Sequence, residues 1–569
     1  MHRLPLLQRL PVPGLGLFGL AAYPLLASLW AALGTLEQAA GWPLLFQQPQ
    51  VVPALLRSVG TGLVATVLAL GACAAIVGSA FGTPRWTRLQ AGLAPLLAVP
   101  HAALAIGVLA LLAPSGWVLR LLSPWATGWD TPPPWTTTQD PWGVGLVLVL
   151  ACKEIPFLLW AASAHLDRSD VAPRLRRELQ WATTLGYTPA QAWWRVGWPQ
   201  LLPRMDAPLL AVLAYSLTVV DVAWIIGPTT PPTLAVLAWQ WLQDADPATH
   251  AMGTAAAWLL GAALLVCAGL LKAGLHAALW RGRWSAGWDA GPLPRRRVPW
   301  DHWLWQGLLA LYGAALLALA LGSVVGVWPF PALLAESWSL DAWRSVWAQG
   351  DTLRTTAWLA AASSLAALLW SVAWMEWAPA SWQQRLAPLW LVPLAMPALL
   401  WVMGLHHWLL DTGLDASATG LWLAHCLSVL PYTLLALQGP YRAVDPRLAQ
   451  VAATLGHGQS AYLLQVKWPL LRVPLLAALA VGFAVSVAQY LPTLYVGAGR
   501  FTTVSTEAVA QASGGARALA ASFAWLQWLL PWGIFAMAAW WGRSRSTLGR
   551  FRRPMALHTS RTPHAESSP

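Results

Sequence analysis

Stretches of about twenty predominantly apolar residues, each long enough as a helix to cross a bilayer, recur twelve times along the chain. They lie near 15–34, 57–80, 91–113, 143–164, 207–227 and 251–271, and again near 303–327, 353–373, 386–408, 419–438, 473–497 and 519–541. A chain with so many such runs has few options, because every backbone polar group at membrane depth has to be satisfied within the protein. Composition agrees: of 569 residues 57% are apolar and only 10% charged, against about a quarter charged in soluble domains. The expected fold class is an all-α polytopic membrane protein of about twelve transmembrane helices. The first run follows Arg3 and Arg9 but is longer than the core of a secretory signal and precedes eleven more, so it reads as a retained helix.

The formal charge of +12 would suit nucleic acid if the basic residues were free to gather on one surface. They are instead sorted by loop. With the N-terminus placed in the cytoplasm, outside segments hold only Arg57, Arg120, Arg344, Arg354, Arg500 and Arg517, Lys153 sits inside a span, and the remaining basic residues fall in inside segments. That asymmetry follows the positive-inside rule and places both termini on the cytoplasmic side. The basic balance is an orientation signal with an anionic bilayer surface as its neighbour, and no nucleic-acid partner is implied. Cys73, Cys152, Cys267 and Cys426 all lie in apolar runs and read as small buried hydrophobes.

The spans are arranged in two copies. Gln180-Trp181-Ala182-Thr183-Thr184-Leu185-Gly186, nine residues, then Val196-Gly197-Trp198-Pro199 returns 270 positions later as Gln450-Val451-Ala452-Ala453-Thr454-Leu455-Gly456, nine residues, then Val466-Lys467-Trp468-Pro469. Such a fixed-period match marks a duplicated unit. Leu93-Ala94-Pro95-Leu96 with Val99-Pro100 likewise matches Leu386-Ala387-Pro388-Leu389 with Val392-Pro393, Pro156 pairs with Pro431, and Ser216 and Gly227 fall on Ser486 and Gly497. The expected organisation is a first transmembrane half over 1–271 with a loop at 165–206, a cytoplasmic linker over 272–302, a second half over 303–541 with a loop at 439–472, and a disordered basic tail over 542–569.

Both copies of the motif fall in basic inside loops between the fourth and fifth span of a repeat. Leu448, Val451, Ala452 and Leu455 form one apolar helical stripe and Leu175, Leu179, Ala182 and Leu185 a comparable one. Gly186 and Gly456 are placed to end these helices in left-handed geometry. A second short helix then carries Val196 and Val466 to Pro199 and Pro469, where the chain is expected to turn back toward the membrane. An ordinary amphipathic loop at the bilayer surface would need no fixed Gly-to-Pro spacing, so the pattern points to a docking surface for a soluble partner.

This loop pattern resembles the cytoplasmic Glu-Ala-Ala signature of binding-protein-dependent ATP-binding-cassette importer permeases, in which three residues separate the last Ala from Gly and nine more precede Ile-x-Leu-Pro. Carried over by position, Gln180 and Gln450 stand for the Glu, Ala182 and Ala452 for the second Ala, and Gly186 and Gly456 for the Gly. Val196 and Val466 open the second element, Trp198 and Trp468 replace the Leu, and Pro199 and Pro469 keep the Pro. The two-half layout is similar to permeases serving thiamine and ferric iron, and Gln489-Tyr490-Leu491-Pro492-Thr493-Leu494-Tyr495-Val496-Gly497-Ala498-Gly499-Arg500 resembles the fused permeases of the enterobacterial Ynj-operon type. The resemblance implies a cytoplasmic ATPase dimer that engages one loop from each half and a periplasmic substrate-binding protein.

The chain carries no phosphate-cradling loop of its own: its lysines, Lys153, Lys272 and Lys467, follow Cys152, Leu271 and Val466 rather than glycine. No catalytic residue, cofactor or metal site is therefore expected. His101, His406 and His407 lack carboxylates or cysteines at ligand spacing. Polar groups inside spans are the substrate-pathway candidates, because an ionised side chain at bilayer depth costs at least ~2.5 kcal/mol. Asp221 is the clearest, with Gln489 and Tyr490 near the same position of the second half, although a place at the outer end in contact with water would also explain it. Lys153 and Glu154 are adjacent and cannot face each other on a helix, so each is expected to pair with another span or to line a cavity. A proton-coupled secondary transporter, also built from two halves, is the alternative reading. A membrane-embedded enzyme is the third, and it would need clustered catalytic groups that the spans do not offer.

Overall fold

The computed structural model describes residues 12–37, 41–168, 170–284 and 300–543. Arg3, Arg9, the Arg295-Arg296-Arg297 run and the tail from 544 lie outside these residues. The described chain is helical, and its extended pairing is an isolated bridge between Val325 and Trp338. Nine helices among the described residues are long and apolar enough to cross a membrane, ten if a pair bent by 73° between Leu470 and Arg472 is one span. The fold is an all-α polytopic membrane protein.

The first half contains α1 (Val12–Gly34), α2 (Val51–Ala80), α3 (Arg85–Ala98), α4 (His101–Leu112), α5 (Val144–Leu166), α6 (Ala172–Thr184), α7 (Asp206–Thr218), α8 (Asp221–Ile226) and α9 (Pro247–Trp284), besides shorter pieces. The second contains α10 (Trp300–Gly322), α11 (Gly350–Trp377), α12 (Ala398–Asp411), α13 (Ala418–Arg442), α14 (Arg447–Thr454), α15 (Arg472–Val487), α16 (Leu491–Gly497) and α17 (Arg517–Arg543). The region expected as linker from 272 is still helical as far as Trp284, at the end of α9.

Twelve apolar runs do not become twelve continuous helices. The third run is interrupted at Val99-Pro100 between α3 and α4, and the ninth at Met396-Pro397 before α12, all four residues being extended. A proline pushes its predecessor out of helical geometry and supplies no N–H, so an extended pair at each Pro is the direct outcome. The fifth run breaks between α7 and α8, and the eleventh between α15 and α16, with Val220 and Tyr490 both at φ −104°.

The structural register differs from the sequence match in one place. Pro100 corresponds to Pro397 rather than Pro393, because the second half inserts one further turn, Val392–Ala395, before its break. Two glycines follow this shifted register: Gly107 in α4 touches Ala315 of α10, where a Cβ would come within 2.9 Å of the backbone, and Gly404 in α12 touches the Ser28 carbonyl of α1, where a Cβ would overlap it.

These contacts show that the leading helices cross over. Helix α1 of the first half packs along α12 of the second, and α10 of the second packs along α4 of the first. The seat of α1 is aromatic: Trp370 donates its indole N–H to Leu17 O at 2.9 Å and stacks on Trp374, and Phe18 meets Trp390 edge-on. At one end of the bundle, buried Arg120 joins the halves by donating to Trp328 O, Pro329 O and Ala332 O while its guanidinium lies 3.8 Å over the Trp328 ring.

Elsewhere two tertiary hydrogen bonds of the first half recur at matching positions of the second. Leu234 N–H donates to Ser58 Oγ and Val504 N–H to Thr356 Oγ1, both at 2.9 Å. Gln139 N–H donates to Ile226 O at 3.1 Å, and Ala416 N–H to Val496 O at 3.2 Å.

Candidate functional site

The two loops fold alike. In the first, α6 ends at Thr184, Gly186 takes φ +92°, Tyr187 N–H reaches back to Ala182 O and Gly186 N–H to Thr183 O. In the second, α14 ends at Thr454, Gly456 takes φ +80°, and His457 N–H and Gly456 N–H reach Ala452 O and Ala453 O. Both are Schellman turns, which satisfy the last helical carbonyls and favour glycine because a Cβ is strained at positive φ. Ala182 and Ala452 face the interior, whereas Gln180, Gln450, Gly186 and Gly456 are exposed. The stripe read as one apolar face is divided in consequence: Leu175 and Ala182 are buried, but Leu185, Val451 and Leu455 project outward together with Trp181.

After each turn a single α-helical turn widens into a π-turn, Trp193–Gly197 in the first loop and Leu463–Lys467 in the second. Trp198 N–H donates to Trp193 O and Trp468 N–H to Leu463 O, five residues back. Pro199 and Pro469 follow immediately. A proline inside an α-helix clashes with the carbonyl four residues earlier, and widening the turn relieves that clash. The prolines therefore shape the helix without ending it. The chain turns later, at Leu202–Met205 in the first loop and at Leu471 in the second. Val196, Val466 and Pro199 are half-buried, and Pro469 is exposed.

The loops differ in how they are fastened. In the first, Trp193 is buried against Gly78 of α2 and donates its indole N–H to Ala74 O at 2.9 Å. Glu178 accepts from Arg174 and Gln200, both at 2.7 Å, and so ties α6 to the segment after the π-turn. The Arg174 guanidinium, and then the Gln200 amide, hold the Glu178 carboxyl below its usual range. In the second loop Leu463 replaces Trp193, and the fastening is ionic. Glu376 Oε2 at the end of α11 accepts from Lys467 Nζ at 2.7 Å and from Tyr441 OH at 2.5 Å, with the ammonium 4.2 Å from the Tyr441 ring.

The intramembrane candidates gather at the helix breaks. Lys153 is buried in α5 and its Nζ donates to Leu96 O and Leu97 O at 3.2 and 3.3 Å. Leu96 O accepts a long bond of 3.4 Å from Val99 N–H, and its ordinary helical partner would be the N–H of residue 100, which is proline, so the ammonium adds a second donor at the end of α3. Glu154 pairs with His101 at 3.0 Å. Sequence spacing had shown no carboxylate near that histidine; the fold supplies one from another span. Asp221 is half-buried at the start of α8, within electrostatic reach of His101, Tyr215 and Tyr490. Gln489 and Tyr490, also half-buried, form the α15–α16 break.

His407 bonds its own helix at Met403 O, and His406 packs edge-on against Tyr495. Among the described residues no group of three His, Cys, Asp or Glu side chains could hold a metal ion.

One polar residue escaped the sequence reading. His425, fully buried in α13, contacts Ser486 Oγ at 2.8 Å and Thr493 Oγ1 at 2.9 Å, and Ser363 donates to Ser486 at 2.9 Å. The chain of four side chains spans the α15–α16 break. At the matching first-half break Leu150 and Ala223 stand for His425 and Thr493, and the Ser216 hydroxyl has no hydrogen-bond partner among the described residues.

Comparison with known proteins follows the same outline. The chain is 37% identical over 503 residues to the inner membrane ABC transporter permease protein YnjC of Escherichia coli (strain K12), covering 88% of this chain and 89% of that one. It is 29% identical over 223 residues to the thiamine transport system permease protein ThiP of Brucella suis biovar 1 (strain 1330), covering 36% of this chain and 39% of that one, with the same identity and coverage for ThiP of Brucella abortus (strain 2308). No family model and no solved structure matches.

Proposed function

Because the chain belongs to the inner-membrane permease subunits of ATP-binding-cassette transporters, we propose that it forms the whole translocation pathway of an importer and couples it to a separate cytoplasmic ATPase dimer through the loops around Gly186 and Gly456. The observation that carries this reading is the recurrence of one turn-and-π geometry, with the same backbone hydrogen bonds, at a spacing of 270 residues. Two equivalent knobs suit a partner that presents two equivalent grooves. Exposed Trp181 and Leu185 on one loop, and Val451 and Leu455 on the other, supply apolar contact where charge is sparse.

ATP-driven closure of the ATPase would draw the knobs together. The fastenings at Trp193 and Lys467 would pass the motion to α2, α11 and α13, which lead to the helix breaks. Asp221, Gln489, Tyr490, Lys153 and Glu154 lie at those breaks, and irregular backbone at membrane depth is tolerated where protein or a water-filled path covers it. A periplasmic binding protein would deliver the solute, both termini would lie in the cytoplasm, and thiamine, named for a more distant relative, is one candidate beside ferric iron. The family assignment sets aside the proton-coupled and enzymatic alternatives. The test is reconstitution with the cognate ATPase and binding protein: uptake is expected to require ATP, and association is expected to fall when Gly186 and Gly456 are both replaced. Unchanged association in the double variant would sink the docking assignment.

A further inference from the structure

The two helix breaks share a position in the repeat but not their surroundings. At the α15–α16 break the side-chain hydrogen bonds run in one direction. Thr493 Oγ1 donates to Gln489 O at 3.0 Å, so it accepts from Nε2–H of His425; Nδ1 then accepts from Ser486, and Ser486 from Ser363 of α11. A second chain starts in α17. Gln527 Nε2 donates to Ser505 Oγ at 2.6 Å, and Ser505, in the helix Val504–Ser513, donates to Val487 O at the end of α15. The backbone is closed as well, with Ala488 and Gln489 N–H reaching back to Ala484 O and Ser486 O.

The α7–α8 break has none of this at the matching positions. The Leu234–Ser58 and Val504–Thr356 bonds, Pro156 with Pro431, and the Trp-Leu-Leu triplets at 258 and 528 fix the register, which sets Ala65, Leu150, Ala223, Ala235 and Ala257 against Ser363, His425, Thr493, Ser505 and Gln527. Ser216 keeps the hydroxyl of Ser486, without a hydrogen-bond partner among the described residues. Both sets are 0–3% exposed, so burial is the same and only polarity differs. Val219, just past α7, is extended at φ −64° and ψ 135°.

We propose that this one-sided network makes the α15–α16 break a fixed pivot and leaves the α7–α8 break as the joint that moves during transport. His425, Ser505 and Gln527 are then positioning residues, too deeply buried to touch a solute. The inference rests on the reading of the chain as the moving bundle of an importer and adds which half flexes. A broken helix moves by letting a few residues absorb the change in φ and ψ. Turning α16 against α15 would detach His425 or Ser505 from partners that no water reaches, and each released group would stay buried and unpaired. Turning α8 against α7 detaches no such bond at the matching positions, because burial of apolar surface carries no direction. With one joint held, the movement of both loops is delivered to the other; with two free joints it would divide between them.

The full chain with its cognate ATPase in lipid nanodiscs, compared by hydrogen exchange in the nucleotide-free and vanadate-trapped states, tests the proposal. Exchange over residues 217–224 is expected to change at least about fivefold on trapping, and over 487–494 by less than about twofold. Ser505→Ala removes one hydroxyl and writes Ala235 into the second half. It is expected to let 487–494 respond to trapping and to lower uptake per ATP hydrolysed at least about threefold, with ATPase association unchanged, whereas Ser505→Thr keeps the hydroxyl and the wild-type ratio. A merely structural serine would lower the melting temperature and leave that ratio where it is, a result that overturns the proposal. Equal responses at both breaks of the wild-type chain, with ATP-dependent uptake intact, would overturn the fixed pivot alone and leave the importer reading standing. No ATP-dependent uptake and no response at either break would overturn both.

Discussion

Trp193 packs directly against Gly78: a Cβ at Gly78 would overlap the indole, whose N–H is bonded to Ala74 O. The first loop is thus seated on α2 by one aromatic plug in a glycine notch. Gly78→Ala is expected to lift the plug and weaken association with the ATPase several-fold, read by co-purification from nanodiscs. Trp193→Phe keeps most of the packing and loses one hydrogen bond, about 1 kcal/mol, so its effect on association should be the smaller of the two.

Gly186 and Gly456 have open space where a Cβ would stand, so their constraint is conformational. Alanine at either position is expected to cost about 1–2 kcal/mol of local stability, and asparagine less. Hydrogen exchange at the amides of Tyr187 and His457, which close the two turns, measures this directly. Faster exchange in the alanine variants with unchanged exchange in α2 and α11 is the expected pattern.

The Lys467–Glu376–Tyr441 fastening makes the second loop sensitive to removal of charge. The two charged side chains are 15% and 9% exposed, so screening is slight. Lys467→Met is expected to destabilise the chain by about 3 kcal/mol, because it strands a buried carboxylate, and the pair Lys467→Met with Glu376→Gln is expected to recover most of that loss. Thermal melting of both variants in nanodiscs reads the difference. Equal melting points for the single and double variants would show that the pair is not coupled.

His425 bridges two hydroxyls across the α15–α16 break. His425→Leu is expected to lower stability by about 1–2 kcal/mol through the loss of two buried hydrogen bonds, since Ser486 keeps its bond from Ser363 and Thr493 its bond to Gln489 O. Adding Thr493→Ala, which writes the first half's Leu150 and Ala223 into the second, should return part of it.

Glu178 gives the first loop a pH dependence that the second lacks, since Leu448 occupies its place there. Its carboxyl is held below the usual range by Arg174 and then Gln200. A depressed carboxylate contributes stability that is present above its unfolded pKa and lost as pH falls through the folded value. Exchange protection in α6 is therefore expected to fall below about pH 4.5, near the ordinary glutamate value, and to be flat over that window in Glu178→Gln, with α14 unaffected in both.

The membrane helices of this protein were readable because each is a long apolar run that marks itself without reference to any partner. Gly186 and Gly456 could be placed as turn residues from position alone, and both take positive φ. What escaped reading depended on partners brought together only in space. Lys153 is satisfied by the carbonyls of Leu96 and Leu97 at the end of α3, and no spacing rule links residues 96 and 153. His101 was weighed against metal ligands near it in sequence, whereas its partner Glu154 comes from α5. The Pro100 match went to Pro393 because the flanking LAPL residues are conserved between copies, while the extra turn before Pro397 is a local insertion that only backbone geometry reveals. For His425 a signal was present: Ser486 and Thr493 stand seven residues apart, two helical turns, on a neighbouring apolar run.

The exchange of leading helices has a consequence for how the chain is made. Helix α1 enters the bilayer first, yet its seat on α12, Trp370 and Trp390 does not exist until roughly four hundred residues have been synthesised. Until then α1 waits in lipid as a loose strand of a lock whose other part is still on the ribosome. The first half cannot complete itself, and α10 arrives to close it only as the second half begins. Because both sets of helices belong to one polypeptide, α1 stays tethered to the segment that will supply its seat throughout that interval.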